Sequence, residues 1–265
     1  MNPRGRPSAR RPRWLLLASL IAVALVCAVA VWRAWATPAE PSAAPVAVAE
    51  EESVVVPPAP LVLPDDARVL VFGDSWTYGS AAVIPTRGFA YVLGELQGWQ
   101  TIVDGIRGSG YLRPGIDGGS YGERIAGLDP RLDPDLVIVE GSINDRWLYT
   151  EGYRDAVAAA WDGLAALYPE ASFVILGPAP QVLPVQKPTA RMDADLAALA
   201  AERGWWYVSP IADEWITSAN YGTVIDSSEV GGDHPSTVGH AYLAGRLAQA
   251  LDAMAEANAV TADGG

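Results

Sequence analysis

At 265 residues, half of them hydrophobic, the chain is long enough for one substantial core and too apolar to be disordered as a whole. Its formal charge of −13 is unevenly spread: residues 1–36 carry six Arg and no acid, leaving 12 basic against 31 acidic residues, a net of −19, in residues 37–265. So acidic a body lacks the basic surface that phosphates need, which argues against nucleic acid or anionic lipid as a partner of the folded part.

Arg4, Arg6, Arg10, Arg11 and Arg13 make residues 1–13 a basic terminus. The run from Trp14 to Trp32 that follows has no charge, and its only polar residues are Ser19 and Cys27. Its 19 residues would span roughly 28 Å as a helix, about the hydrocarbon thickness of a bilayer. Residues 14–36 are therefore expected to be a single-pass membrane anchor. The arginines keep their end in the cytoplasm and place everything after Trp35 outside. A cleaved secretory signal is the competing reading, because Ala34-Trp35-Ala36 resembles a small-x-small cleavage site; the length of the run and the intervening Arg33 favour the anchor. Either way the remainder is exported, and since Cys27 is the only cysteine, the exported part has no disulfide and no thiol nucleophile.

Residues 37–64, with seven prolines among alanines and the acidic trio Glu50-Glu51-Glu52, read as an extended linker. The prolines flanking Val54-Val55-Val56 disfavour an edge strand there. From Asp65 the pattern changes. Strands are expected at Arg68–Phe72, Thr101–Val103, Asp135–Glu140, Ser172–Leu176 and Trp206–Val208, and helices at Gly88–Leu96, Tyr153–Leu167, Arg191–Glu202 and Val238–Ala255. This alternation over residues 65–257 implies a mainly parallel five-stranded sheet between layers of helices, with residues 258–265 a disordered tail.

The chemistry begins where the first strand ends, at Gly73-Asp74-Ser75. Ligands of open α/β sheets sit outside the carboxyl ends of the strands, which makes Ser75 a candidate nucleophile. A serine hydroxyl needs a base, and the chain has two histidines. His240 lies at the start of the last expected helix, where capping or packing explains it; His234, in the loop Gly231-Gly232-Asp233-His234-Pro235, is the better candidate base. Beyond the third strand, the Asn144 amide in Ser142-Ile143-Asn144-Asp145 can donate to a developing oxyanion. Glycines 105, 108 and 110, after the second strand, let backbone N–H groups approach a ligand closely. Position 77 is Thr, so the Gly-x-Ser-x-Gly elbow is absent. Two histidines and no exported cysteine leave few of the usual zinc ligands, although carboxylates alone can hold calcium; no metal and no other cofactor is expected.

Taken in order, Gly73-Asp74-Ser75, Gly108, Ser142-Ile143-Asn144-Asp145 and the loop ending in His234-Pro235 resemble the sequence blocks of the SGNH hydrolases, or GDSL-like esterases and lipases. The resemblance spans residues 68 to about 250. It implies a three-layer α/β/α, flavodoxin-like fold and ester hydrolysis through an acyl-enzyme. Ser75 would be the nucleophile and His234 the base, and the oxyanion hole would use the Ser75 and Gly108 N–H groups and the Asn144 side chain. The chain departs from the family pattern in three places. Ser142 stands where a glycine is usual, Val103 and Asp104 replace the asparagine that opens the second block, and Gly231 occupies the position of the triad aspartate. Asp233 is the expected triad acid, with Asp226, Glu229 or a backbone carbonyl as alternatives.

The expectation is an exported, membrane-anchored monomeric esterase acting on small-molecule or glycan acyl esters. An acyltransferase using the same residues and a catalytically silent cell-wall-binding domain are the alternatives. Trp76 and Trp147 follow catalytic blocks directly and are candidates to line an acyl or sugar pocket.

Overall fold

A computed structural model describes residues 57–141, 143–148 and 151–256. The expectations for the basic terminus, the apolar run with Cys27, the linker up to residue 56, Ser142 and the tail 258–265 lie outside these residues. Among the described residues no helix is long and apolar enough to cross a membrane.

The first strand, β1 (Arg68–Gly73), is buried on both faces after its first residue. A strand apolar on both sides needs a helical layer above and below it. The chain supplies these through α1 (Ser75–Tyr78), α2 (Phe89–Gln97), β2 (Gln100–Gly105), α3 (Tyr121–Ile125), β3 (Leu136–Glu140), α4 (Tyr153–Leu167), β4 (Ser172–Leu176), α5 (Lys187–Glu202) and β5 (Trp206–Val208). The order then runs α6 (Tyr221–Val224), β6 (Ile225–Asp226), β7 (His234–Pro235) and α7 (Thr237–Glu256). The main sheet is entirely parallel, in the order β2-β1-β3-β4-β5. Alternation along the strands divides the core. Val69, Val71, Leu136, Ile138, Val174 and Leu176 face α2 and α7, while Leu70, Phe72, Val137, Val139, Phe173 and Ile175 face α3, α4 and α5.

This is the doubly wound order whose switch point lies between β1 and β3, where connections leave on opposite faces and open a crevice. Phe72 pairs with both Asp104 and Val139, so β1, β2 and β3 end level with one another. Asp74, Ile106 and Gly141 therefore all begin loops on the same edge.

The expected five strands and four long helices are present, with shifted ends. α5 starts at Lys187 rather than Arg191, because Pro188 sits in its first turn, where a missing N–H breaks no helical bond. α3 was not expected, although Ser120 and Glu123 form a capping box whose Ser-x-x-Glu signature is visible in the sequence. The two-residue strands β6 and β7 pair antiparallel and are too short for any periodicity to reveal.

Packing also begins before Asp65. Leu61 is buried against the α2–α7 side of the core, its N–H donates to the Met254 carbonyl at 3.3 Å, and Ala59 O accepts from Trp206 Nε1 at 2.8 Å. The end of the expected linker is thus part of the folded body. Burial of a leucine is worth a few kcal/mol, so Leu61→Ala should cost about 2–3 kcal/mol, read as a lower urea midpoint at unchanged slope.

His240, fully buried in α7, accepts the Phe89 N–H at Nδ1 (3.1 Å) and donates from Nε2 to Ser80 O (2.9 Å). It thereby pins the β1–α2 connection to the last helix. Burial pushes its pKa down from 6.5 to about 4, with the Ser80 carbonyl opposing the shift. Because the folded pKa lies below the unfolded one, the unfolded chain binds the extra proton first. The neutral imidazole's contribution is complete above pH 6.5 and is lost as pH falls towards 4. His240→Gln should flatten the fall of unfolding free energy across this window, measured by urea titrations at successive pH values; a slope equal to wild type would refute the assignment.

Candidate active site

Asp74 ends β1 with φ −103° and ψ −142° and caps α1, its Oδ1 accepting the Trp76 N–H at 2.9 Å. The cap turns the chain sharply, so that Ser75 sits in the first turn of α1, only 6 % exposed. A first-turn N–H has no partner within its helix, and that of Ser75 has no protein acceptor among the described residues. Trp76 turns inward, packing near Phe89, Leu176, Trp215 and Leu243, so it belongs to the core rather than to an exposed pocket wall.

His234 reaches Ser75 from the far end of the chain. The β6–β7 ribbon pairs Asp226 with His234 and Ile225 with Pro235, and the turn between them is closed by Gly232 N–H to Ser228 O (2.8 Å) and Asp233 N–H to Asp226 O (3.0 Å). His234 Nε2 lies 2.9 Å from Ser75 Oγ, and Nδ1 lies 3.0 Å from the Gly231 carbonyl. A carbonyl can only accept, so Nδ1 carries the proton and Nε2 is left bare to take one from the hydroxyl. Asp74 Oδ1 is a weaker partner of the same hydroxyl, at 3.5 Å.

None of the three acids considered for the triad is hydrogen-bonded to the imidazole. Asp233 takes a left-handed φ of +61° and lines a small cavity with Arg146 and Gln186, with no hydrogen bond to His234. Asp226 accepts from the Ser228 N–H at 3.0 Å, and Glu229 is exposed. The Gly231 carbonyl therefore takes the place expected of Asp233. Gly231 leaves no space for a side chain, because a Cβ there would collide with the Asp226 side chain.

Gly108 has φ +73°, a conformation that only glycine adopts without strain, and its N–H also lacks a protein acceptor among the described residues. Asn144, in a short helical turn after β3, donates from Nδ2 to Asp74 Oδ2 and to Ser109 O, both at 2.9 Å. The structure thus gathers Ser75, Gly108, Asn144 and His234 at one crevice and joins three of their segments through Asp74 and Ser109.

Other residues that fix this crevice were not singled out from the sequence. Arg124, its side chain 7 % exposed, donates to Gly73 O (2.8 Å), Ser109 Oγ (3.1 Å) and both Asp104 O and Oδ1 (2.7 Å each). It clamps the ends of β1 and β2 to the glycine loop. Buried Asp145 does the same for the opposite wall. Its Oδ2 accepts Tyr111 N–H at 2.7 Å, and its Oδ1 accepts Leu112 and Arg113 N–H at 3.2 and 3.1 Å. Burial raises the Asp145 carboxyl to about 6 despite those three donors. Glu140, at the end of β3, accepts from Asp74 N–H (3.2 Å) and Thr77 Oγ1 (3.0 Å). Burial, and then the Asp74 charge, push it well above the usual carboxylate range, which favours its neutral form beside Asp74. One acid ending an otherwise apolar strand was the only sequence signal of Glu140.

Comparison with known proteins identifies the family. Residues 71–260 match the model of the GDSL-like lipase/acylhydrolase family. A GDSL lipase of Mycobacterium tuberculosis is 30 % identical over 196 residues, covering 68 % of this chain and 79 % of that one. Among solved structures, a protein of the G-D-S-L family from Desulfitobacterium hafniense superimposes with a TM-score of 0.57 at 16 % identity, over 70 % of this chain and 99 % of the other. Est24, a carbohydrate acetylesterase from Sinorhizobium meliloti, gives 0.54 at 16 % over 70 % and 98 %, and the aryl esterase of M. smegmatis gives 0.53 at 18 % over 71 % and 99 %. With its switch-point serine, its histidine and the family model covering most of its length, the chain belongs to the GDSL-like lipase/acylhydrolase, or SGNH hydrolase, family and is a serine ester hydrolase.

Proposed function

We propose that the protein hydrolyses short acyl esters, including O-acetyl groups on carbohydrates, through an acyl-enzyme on Ser75. The 2.9 Å contact between His234 Nε2 and Ser75 Oγ carries this reading, because the Gly231 carbonyl fixes the tautomer able to accept the serine proton. Ser75 Oγ attacks the ester carbonyl carbon while its proton passes to Nε2. The oxyanion is met by the Ser75 and Gly108 N–H groups, and Asn144 Nδ2 exchanges one of its two present acceptors for it. Collapse returns the proton from His234 to the departing alcohol, and water then repeats the sequence to release the acid. The carbohydrate preference draws support from Est24, a carbohydrate acetylesterase of the same fold.

The same reading places the hydrolase domain outside the cytoplasm, tethered by the apolar run Trp14–Trp32. A silent binding domain finds its only support in the absent triad acid, and a carbonyl that performs the orienting task weakens that support.

Fluorophosphonate labelling with hydrolysis of p-nitrophenyl acetate and butyrate tests the proposal. Label should be lost in Ser75→Ala, and turnover in both Ser75→Ala and His234→Ala. A wild-type protein that neither labels nor hydrolyses any ester would overturn it. Disabling a triad acid costs about 10⁴ in kcat. Since Asp233 does not hold the imidazole, Asp233→Asn should lower kcat by less than about tenfold on the same assay, and a loss near 10⁴ would reinstate it.

A further inference from the structure

Arg113 and Arg146 stand apart from the ion-paired arginines of this acidic domain. Six of the described arginines form ion pairs with carboxylates. Neither Arg113 nor Arg146 does so among the described residues, although they stand on the loops after β2 and β3 that also carry Gly108 and Asn144. Asp145 brings them together, since its own residue precedes Arg146 and its carboxylate accepts the Arg113 N–H at 3.1 Å. The half-buried Arg146 guanidinium donates to Ile143 O at 2.9 Å and lies 5.5 Å from the centre of the Trp147 ring, which is 66 % exposed. Burial and repulsion from Arg113 disfavour its charge, while Asp74 and Asp233 attract it without forming an ion pair.

A half-buried guanidinium that feels the repulsion of a second cation is unfavourable until an anion joins them. Guanidinium groups present forked donors that match the oxygens of a carboxylate or phosphate. The position is specific as well. Arg146 follows Asn144 by two residues and lines the same small cavity as Asp233, the neighbour of His234.

We propose that Arg113 and Arg146 form an anion subsite for the alcohol portion of the ester, so that preferred substrates carry a carboxylate or phosphate on the alcohol. Trp147 offers a flat apolar face beside it for the ring of that alcohol. The inference rests on the ester-hydrolase reading of Ser75 and His234 and adds a substrate class to it.

The test compares kcat/KM for 4-acetoxyphenyl phosphate and 4-acetoxybenzoate with that for neutral p-nitrophenyl acetate. Wild type, Arg113→Gln, Arg146→Gln, Arg146→Lys and the double glutamine variant are measured as the full chain. The anionic-to-neutral ratio should fall about tenfold in each glutamine variant, further in the double, and less in Arg146→Lys, which keeps the charge and loses the fork. Which anion shows the larger fall identifies the group the subsite takes. Calorimetric titration of Ser75→Ala with the two anionic esters, and with phenyl acetate as the neutral control, reads the subsite without turnover. Failure of hydrolysis with retained anion-selective binding would then count against the nucleophile and not against the subsite. Ratios unchanged in all variants, or equal binding of anionic and neutral esters, would overturn the inference.

Discussion

The Asp74 carboxylate is the interaction on which the site depends. Its Oδ1 caps α1 and so sets the turn that presents Ser75; its Oδ2 holds Asn144, and through it the loop after β3. A carboxylate this deeply buried is costly unless its lone pairs are filled, and the Trp76 N–H and the Asn144 amide fill them. Glu140 would add a second buried charge beside the first. Burial and the Asp74 charge raise the Glu140 pKa, which favours the neutral form and lessens that repulsion, while Oε2 accepts from the Asp74 N–H and Thr77 hydroxyl. The turn that carries the nucleophile is therefore fixed from β1 and β3 together, the two strands whose divergence opens the crevice.

The histidine is held by a different principle. An aspartate opposite Nδ1 would both select the tautomer and stabilise the imidazolium with its charge. The Gly231 carbonyl selects the tautomer as strictly, because it has no proton to give, but it offers only a dipole to the cation. Gly231 also explains why a carbonyl stands there: its buried backbone lies against Asp226, which leaves no room for any side chain at that position. The departure from the family pattern is thus built into the packing of the β6–β7 turn.

What the sequence made legible follows from how far apart its signals lie. Strands and long helices were readable because burial on two faces or one stripe imposes a pattern over many residues, and Ser172–Leu176, Trp206–Val208 and Tyr153–Leu167 match to the residue. Ser75, His234, Asn144 and Gly108 were readable as blocks placed after strands that share one edge. The partner of His234 Nδ1 was not, since a backbone carbonyl leaves no residue type to recognise; Gly231 marks it only by lacking a side chain. Arg124 and Asp145 were missed for a related reason. Arg124 acts through contacts 15 to 51 residues away in sequence and Asp145 through contacts 32 to 34 residues away, and no local pattern encodes those distances; the closest, Arg124 to Ser109 at 15 and to Asp104 at 20, already span a loop of glycines.

Asp145 shows what this rigidity costs the fold. Its folded pKa of about 6 lies above the ordinary 3.8, so the folded state binds the proton more tightly than the unfolded chain does. The sign follows directly: stability is greatest with Asp145 protonated and declines as pH rises from 3.8 through about 6. At neutral pH the ionised carboxylate is a net burden on folding, and yet in that form it accepts three consecutive N–H groups from the loop after β2. Those bonds set the wall on which Arg113 stands and tie it to the turn that bears Asn144 and Arg146. The charge is therefore held at a cost to stability relative to the protonated acid, and the three N–H groups it accepts are fixed in exchange.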